Sequence, residues 1–430
     1  MKNCSLFTVP LLGFLICLTL HDVTFAKEKN DFVEVYNPAG IRENGVYVDK
    51  LLAKTMKETK RKGPILAGSF PEVKIEKVKI KSDAATDVYN LFYKRGWTDA
   101  LPIVAPTPDK VKAMLSGTDL DPRFVVAVLD PMKGQATVEK IAVNAVMAGC
   151  QPEYMPVLIA AVEALADSAF DLKGMSNTTS PDTPFLILTG PIITDIDFNV
   201  DTNTMGRGRR ANSTIGRAIN LIINNVGGAW PGINDLSGIG LPAEYGMVVG
   251  ENTAEYNPWP SLNSDLGFSK TSNVVTLMGA EGIRGVVGIG RTPEGFLQLV
   301  AEHMSGLAAQ RPRWPVVALL IARDTAIELA KAGYTKESIR EGILKYGSIP
   351  FSKYKERFSI PRWSNEIQNA EVIATSPDEM IPQPTIDQFI ILVAGGSGEK
   401  SMIIPGWFGA TKAVSKEIRL PANWQEVIKK

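Results

Sequence analysis

Four short apolar runs, each bounded by turn residues, constrain the fold of this chain more than any other feature. They are residues 184–192 (PFLILTGPI), 273–282 (NVVTLMGAEG), 316–322 (VVALLIA) and 388–401 (QFIILVAGGSGEKS). Short runs of this kind are typical of strands buried inside a sheet. Because stretches with helical periodicity separate them, the sequence predicts an α/β fold with a mixed or partly parallel sheet and flanking helices.

Helix signals surround the only cysteine that follows the N-terminal leader. Thr137 precedes a largely apolar segment that predicts a buried helix stopped by Gly149. Pro152 then suits the first turn of a second helix, which we expect to run to about Asp167. Cys150 therefore lies at the joint between two predicted helices.

The chain divides into four predicted segments. They are a signal peptide (1–26), an N-terminal extension rich in Lys and Glu (27–82), a main α/β domain (83–310) and a smaller C-terminal α/β unit (311–430). The leader carries Lys2, an apolar run and then Thr24-Phe25-Ala26, so we expect cleavage after Ala26 and a periplasmic or secreted protein. A retained anchor is the alternative, but the run is short for a spanning helix, and no stable membrane insertion is expected after cleavage.

Charge and composition exclude several kinds of site. Lys plus Arg and Asp plus Glu both number 46, and this balance argues against a nucleic-acid partner. After loss of the leader only Cys150 and His303 remain of their types, so neither a disulfide within the chain nor a Cys/His zinc site can form. Catalysis would have to use carboxylates, amides, Arg, Lys, Tyr or Cys150, and the sequence indicates no particular cofactor.

Several motifs together resemble an uncharacterised bacterial family that opens with Gly-Trp-Thr-Asp-Gly-Leu-Pro and is associated with UGSC (selenocysteine-Gly-Ser-Cys) domains. The resemblance covers roughly residues 83 to 421, and the combination of motifs is specific, but the family implies no reaction. The matching stretches are residues 96–111 (GWTDALPIVAPTPDKV), 143–164 (VNAVMAGCQPEYMPVLIAAVEA), 210–232 (RANSTIGRAINLIINNVGGAWPG), 251–262 (ENTAEYNPWPSL) and 391–401 (ILVAGGSGEKS).

The chain departs from that family at three positions. Ala100 replaces the usual Gly of the opening motif, and Leu241 and Thr325 stand where the family has His. If those histidines carry the family's chemistry, this chain lacks it. No UGSC motif occurs in the sequence, so a redox role of that type is not supported.

Cys150 has two interpretations. Near the start of a helix, backbone amides and the helix dipole lower a thiol pKa, which would make Cys150 a nucleophile with Glu153 as a nearby proton donor. Alternatively, Cys150 is a small packed residue at a tight turn, because free cysteines are among the most buried residue types. The second interpretation is slightly favoured.

An arginine-rich helix start is the best candidate for binding an anionic group. Helix N-termini offer free amides and Arg offers bidentate contacts, and Asn212 is a suitable N-cap residue for a helix from Ser213 to about Asn225. A basic loop paired with the aspartates of residues 194–201 is about equally favoured. The predicted substrate-binding residues here are Arg207, Arg210, Asn212, Ser213, Thr214 and Arg217.

Lys400 and Ser401 follow a predicted strand and could face a cleft at its end. Their spacing does not fit a phosphate-binding loop, because Glu399 stands between Gly398 and Lys400. Asn177 completes the predicted substrate-binding set, and its NTT sequence is also a glycosylation acceptor.

Acidic and amide residues gather between residues 233 and 259. They could bind a hard cation or work as a paired acid and base, although ordinary loop hydrogen bonding is the default and no metal motif is recognisable. Asp99, in the opening motif, is a further candidate catalytic acid, although turn and cap roles are commoner for such residues. The clustered residues are Asp235, Glu244, Glu251, Asn252 and Glu255.

The sequence thus predicts an exported enzyme of lyase or hydrolase type that acts on a small polar or anionic organic molecule. Cys150, Glu153, Asp99 and Glu251 are its candidate catalytic residues. The alternative is a non-catalytic protein, either a small-molecule-binding protein or an envelope accessory protein. A homo-oligomer is left open.

Overall fold

A computed structural model describes residues 32–38, 75–308, 313–357, 375–382, 385–407, 409 and 412–429. The predicted signal peptide lies outside these residues. Of the N-terminal extension, strands β1 (Phe32–Tyr36) and β2 (Ile75–Lys79) pair antiparallel. Val35 and Val78 pack into the main core, so the described part of the extension is attached to the domain that comes after it.

Regular elements succeed one another closely along the chain. The helices are α1 (Ala84–Lys94), α2 (Pro108–Leu115), α3 (Val138–Ala148), α4 (Met155–Leu165), α5 (Leu172–Ser176), α6 (Ile192–Asp195), α7 (Arg210–Ile222), α8 (Leu262–Asp265), α9 (Pro293–Ala308), α10 (Arg323–Lys331), α11 (Lys336–Tyr346), α12 (Phe351–Arg357) and α13 (Trp424–Val427). The remaining strands are β3 (Val125–Leu129), β4 (Gly134–Thr137), β5 (Thr183–Thr189), β6 (Met247–Gly250), β7 (Val274–Ala280), β8 (Arg284–Val287), β9 (Arg313–Ile321), β10 (Ile349–Pro350), β11 (Met380–Ile381), β12 (Thr385–Val393), β13 (Lys400–Pro405) and β14 (Val414–Glu417).

Two four-stranded sheets form the centre of the fold. The first has the order β14-β7-β5-β6, with β5 parallel to β6 and antiparallel to β7. The second has the order β12-β9-β13-β8, with β12 parallel to β9 and β13 antiparallel to it. The second sheet draws β8 from before residue 311, so its strands come from both sides of that position.

The two sheets pack face to face, and helices cover their outer faces. Phe185 and Ile187 of β5 belong to one apolar cluster with Val316 and Ala318 of β9. Leu186, which points to the opposite face of β5, belongs to the cluster formed with the helices of the first half of the chain. On the second sheet, alternate residues of β9 pack with α9, α10 and α11. The layers are therefore helices, sheet, sheet and helices.

The predicted α/β class with mixed sheets is confirmed. Helix α3 occupies Val138–Ala148, with the Thr137 hydroxyl capping its start and Gly149 at φ 89° ending it. Pro152 begins a short 3₁₀ turn (Pro152–Tyr154) that leads into α4. The predicted start of α7 is wrong, because the helix begins at Arg210.

Candidate functional site

A cleft of about 800 Å³ opens at the start of strand β5. Its walls come from the opening motif after α1, the end of α5, the last turns of α7 and the loop of residues 229–245. Parts of the chain distant in sequence therefore meet there. Its polar and charged lining residues include Asp99, Ser176, Asp182, Asn220, Asn224, Asp235 and Glu244.

Asp182 immediately precedes β5 and lies beside the neighbouring strand. Thr183 pairs with Ala280 of β7, so Glu281 comes next to Asp182 where the two strands end. Burial, together with the negative charges of Glu281, Asp235 and Glu244, raises the pKa of Asp182 to about 9. Its buried Oδ2 atom has no hydrogen-bond partner among the described residues. Asp182 is therefore a neutral carboxylic acid at pH 7.

Asp235 and Glu244 enter the cleft from a loop that hydrogen-bonds to itself. Asp235 Oδ1 accepts from the Ser237 amide at 3.0 Å, and Glu244 Oε1 accepts from the Leu241 amide at 2.7 Å. Burial, and secondarily the charge of Asp235, raise the pKa of Glu244. Of the five acidic and amide residues that the sequence groups, Asp235 and Glu244 line one cleft with Asp182, and both also make the loop hydrogen bonds that the sequence gives as the default.

A close backbone approach fixes where this loop ends. Gly246, at φ 138°, lies so near α7 that an added Cβ would be 2.8 Å from the amide nitrogen of Arg217. Since both the positive φ and the contact exclude larger residues, glycine is required here. The loop is held against α7 just after Glu244.

Asp99 lies at the edge of the cleft, but its charge is balanced. Arg217 donates from Nε to Asp99 Oδ2 at 2.7 Å and from Nη2 to Asp99 Oδ1 at 2.8 Å, a bidentate pair. Arg217 Nη2 also donates to the Pro102 carbonyl at 2.9 Å. The guanidinium predicted to hold a substrate carboxylate therefore holds the opening motif instead, and Asp99 is an ion-pair partner.

Ala100 comes after Asp99 in a left-handed conformation, with φ 67°. Glycine adopts this conformation without strain, and alanine does so at a cost of about 1 kcal/mol. The Gly that the resembled family has at this position is therefore the residue expected from the backbone. Ala100 also lines the cleft.

Cys150 is not among the residues that line the cleft, and it packs against the N-terminal half of α7 within a paired polar cluster. Its thiol donates to the Thr214 carbonyl at 3.4 Å, and burial raises its pKa to about 12. The predicted lowering by a helix start does not occur, because loss of solvation outweighs the nearby arginines. The packed-turn interpretation is therefore favoured. The Gln151 amide, in the orientation that satisfies both neighbours, joins Glu153 Oε1 to Arg210 Nη1 at 2.7 and 2.5 Å.

The rest of the arginine-rich segment serves the local structure. Arg207 is exposed, and Arg209, which pairs with Asp197 at 2.7 Å, is the N-cap of α7 in place of the predicted Asn212. Asn212 is buried within the first turn, where its amide bonds the backbone of Asn199 and Thr204. The hydroxyls of Ser213 and Thr214 donate to carbonyls one turn earlier, those of Arg209 and Arg210. These contacts fit the loop-pairing alternative better than an open anion site.

Glu251 is buried at the opposite end of the first sheet. Both of its carboxylate oxygens accept from the Leu262 amide, at 3.0 and 2.9 Å, and Oε1 also accepts from Asn257 at 3.1 Å. Burial raises its pKa to about 7, opposed by the charge of Lys336, whose Nζ lies 3.8 Å away. Glu251 therefore does not share the cleft with the other candidate acids.

The remaining predicted residues are also separate from the cleft lining. Asn177 Nδ2 donates to the Lys173 carbonyl at 2.6 Å, which completes the end of α5. Ser401 is buried in β13 and its Oγ accepts from the Ala322 amide at 3.0 Å. Lys400 is exposed at the start of the same strand.

Sequence reasoning did not single out Asp182, Ser176 or Trp230 as site residues. The one signal for Asp182 is its place directly before a fully buried strand, where a charged residue is partly removed from water. Of the two positions at which the resembled family has His, Leu241 lines the cleft and Thr325 is buried on α10. Among the described residues, no group of three or more His, Cys, Asp or Glu is arranged to hold a metal ion.

No helix in the described part of the chain has the length and apolar character needed to cross a bilayer. Comparison with protein-family models and with curated proteins gives no match to this chain. The geometry of the cleft is therefore the basis for a functional proposal.

Proposed function

We propose that this chain is an exported enzyme of the lyase or hydrolase type that transfers protons to and from a small polar organic molecule bound in the cleft. One observation carries the proposal: Asp182 lines the cleft and keeps its proton at neutral pH, with a pKa of about 9, and its buried Oδ2 has no hydrogen-bond partner among the described residues. A neutral carboxylic acid in such a place is equipped to donate a proton.

Glu244 is the proposed proton acceptor. Its pKa is raised by burial, yet its Oε1 accepts a backbone amide hydrogen bond, which stabilises the charged form that a base needs. Two carboxyl groups with different environments in one cleft are the usual way for a protein to supply an acid and a base together. Asp235 adds negative charge that keeps Asp182 protonated.

The cleft lining favours a neutral or cationic substrate over an anionic one. It contains acidic groups and no Lys, Arg or His among the described residues. The nearest guanidinium, that of Arg217, is bonded to Asp99. The anionic substrate suggested by the sequence is therefore not part of the proposal, and neither is nucleophilic attack by Cys150.

Export rests on the sequence of the leader, residues 1–26, whose short apolar run ends in Thr24-Phe25-Ala26. The proposed proton transfer by Asp182 and Glu244 is compatible with an enzyme that works in the periplasm or outside the cell. Its small substrate would be taken from the surroundings of the cell.

The test combines binding with turnover. Purified protein is incubated with a set of small polar compounds, ligands are found by thermal shift, and their conversion is followed by NMR. Wild-type protein should convert at least one bound compound, and Asp182→Asn should still bind it but convert it about 100-fold or more slowly. The control Asp378→Asn makes the same chemical change at an exposed position outside the cleft and should leave the rate unchanged.

Two outcomes would contradict the enzyme proposal. The first is equal turnover by wild type and Asp182→Asn. The second is a compound that binds in the cleft, protects the fold against heat and is never converted. The second result would support the non-catalytic small-molecule-binding alternative.

A further inference from the structure

Negative charge in the cleft exceeds positive charge. The acidic lining residues are Asp99, Asp182, Asp235 and Glu244. Asp99 is neutralised by Arg217, and Asp182 is protonated, which leaves the charges of Asp235 and Glu244 facing a cleft with no cationic lining residue among those described. A ligand that brings positive charge would find an electrostatic partner there.

Two unfilled hydrogen-bonding atoms accompany this charge. Ser176 is only 7% exposed and lines the cleft, and its Oγ has no hydrogen-bond partner among the described residues. The buried Oδ2 of Asp182 likewise has no hydrogen-bond partner among the described residues. Buried polar atoms are usually bonded in folded proteins, so the unbonded oxygens of two residues that line the cleft are candidates for bonding a ligand that enters it.

Aromatic side chains complete the lining. Trp230 is buried, while Tyr93 and Tyr245 are exposed at the surface, and all three border the cleft. The faces of aromatic rings attract cations as well as apolar groups. Carboxylates with aromatic walls are the combination by which proteins bind organic cations.

We propose that the cleft binds a small organic cation bearing N–H groups, whose charge is met by Asp235 and Glu244 and whose N–H groups bond Ser176 and Asp182. This inference rests on the proposed function, because it names the substrate class of that same cleft. An alkylammonium group fits, since it provides one charge and three N–H donors at one atom.

Cation binding should release a proton. Asp182 holds its proton because of burial and the charges of Glu281, Asp235 and Glu244; the other charged groups at the cleft, Asp99 and Arg217, neutralise each other. A bound cation opposes those negative charges and lowers the pKa of Asp182 towards neutrality. Substrate binding would thereby bring the proposed acid into the range where it can both give and take a proton at pH 7.

Three probes of one size and different charge test the substrate class. They are benzylamine, benzyl alcohol and benzoate, each titrated calorimetrically into the full protein at pH 7.5 in two buffers of different ionisation enthalpy. Benzylamine should bind at least about tenfold more tightly than benzyl alcohol, and benzoate more weakly than both. The buffer dependence should show proton release with benzylamine alone.

Variants assign the effect to named residues. Asp235→Asn and Glu244→Gln should each reduce the preference for benzylamine over benzyl alcohol, and Asp182→Asn should abolish proton release. Asp378→Asn is the matched control and should change neither. Benzylamine binding no tighter than benzyl alcohol, including a failure of both to bind, would overturn the inference.

The readouts separate this inference from the enzyme proposal. A cation preference with proton release, but turnover unaffected in Asp182→Asn, would sink the enzyme proposal alone. Turnover that depends on Asp182 but acts on neutral compounds would sink the cation inference alone. Preference for benzyl alcohol would indicate a neutral ligand with a hydroxyl group. Preference for benzoate would indicate an anionic ligand.

Discussion

Two carboxyl groups with raised pKa values lie at opposite ends of the first sheet, and their hydrogen bonding differs. Glu251, after β6, is 3% exposed and accepts hydrogen bonds from Leu262 and Asn257. Asp182, before β5, has an oxygen without any partner in the described part of the chain. Burial shifts both groups in the same direction, but only Glu251 is used to join pieces of the fold.

The difference separates a structural acid from a candidate functional one. A buried carboxylate that accepts several hydrogen bonds stabilises the native state, and its loss leaves amides unsatisfied. A buried carboxyl group without partners destabilises the native state, and in a cleft it is a candidate for a functional role. A raised pKa alone would not have told the two apart.

The largest loss of stability is expected at Glu251. Glu251→Ala leaves the Leu262 amide and the Asn257 side chain without their acceptor, so the free energy of unfolding should fall by about 3 kcal/mol. Glu251→Gln keeps an acceptor of the same shape and should cost about 1 kcal/mol. Urea unfolding at pH 7 measures both. A loss below about 1 kcal/mol for the alanine variant would place Glu251 in the same class as Asp182.

The free energy of unfolding is expected to rise, not fall, in Asp182→Asn. The pKa of Asp182 is about 9 in the folded protein against an ordinary value near 4, so the folded state holds a proton that the unfolded chain gives up. Wild-type stability should therefore fall as pH rises from about 4 to 9, and Asn removes this loss. At pH 8 the variant should be about 5 kcal/mol more stable than wild type, because about four pH units separate pH 8 from the unfolded pKa at about 1.36 kcal/mol each, and there should be no gain below pH 4.

Urea unfolding at pH 4, 6 and 8 measures this gain. Asp378→Asn, at an exposed position, should show no such dependence on pH. A loss of stability in Asp182→Asn at pH 8 would mean that the carboxylate has a partner in the folded protein.

Asp99 is an intermediate case, because it is a carboxylate at the cleft edge that is fully paired. Substitution of its partner Arg217 tests it. Arg217→Met should destabilise the fold by about 2 kcal/mol, because it leaves Asp99 and two backbone carbonyls without their donor. Arg217→Lys retains charge without the bidentate geometry and should recover part of the loss. Thermal unfolding with calorimetry measures the series. Equal stability of all three proteins would show that the pair does not hold the opening motif.

The smallest effect is expected at Cys150. With a pKa of about 12 and a hydrogen bond to Thr214, the thiol should react slowly with iodoacetamide in the native protein at pH 8. Labelling should become fast in urea, and Cys150→Ala should cost about 1 kcal/mol or less. The alanine variant also gives the background from Cys4 and Cys17 where the leader is retained. Rapid native labelling with a midpoint below pH 8 would restore the nucleophile hypothesis.

Much of the secondary structure could be predicted because its signals are local. The cap at Thr137, the stop at Gly149 and the apolar run of β5 depend on neighbours within a few residues. The sheet order could not be predicted, since β13 lies between β8 and β9 although it comes after both by a long stretch of chain. The predicted start of α7 is wrong because Asn212 has the chemistry of a cap, but its amide bonds Asn199 and Thr204 in the loop that leads into the helix.

The site was predictable only in part, for the same physical reason. Asp235 and Glu244 stand close in sequence on one loop and belong to the five residues that the sequence groups, but the sequence does not separate them from Glu251, Asn252 and Glu255, which do not line the cleft. Asp182 enters the same cleft from the position just before β5. Its pKa depends on burial that no local sequence pattern reveals. The partner of Arg217 is 118 residues away along the chain, which explains why an internal ion pair resembled a free anion site in the sequence.

The π turn Ile223–Gly227 at the end of α7 has a consequence for how this protein can vary. It places two successive amides on the opening motif, with Asn224 donating to the Gly96 carbonyl and Asn225 to the Trp97 carbonyl. Deleting one residue would restore α-helical spacing and rotate the next segment by about 100°. The loop carrying Asp235 and Glu244 would then leave the helix in another direction. At this point the number of residues is constrained as well as the identity of Asn224 and Asn225, so a change in length would redirect the loop even if both amides were kept.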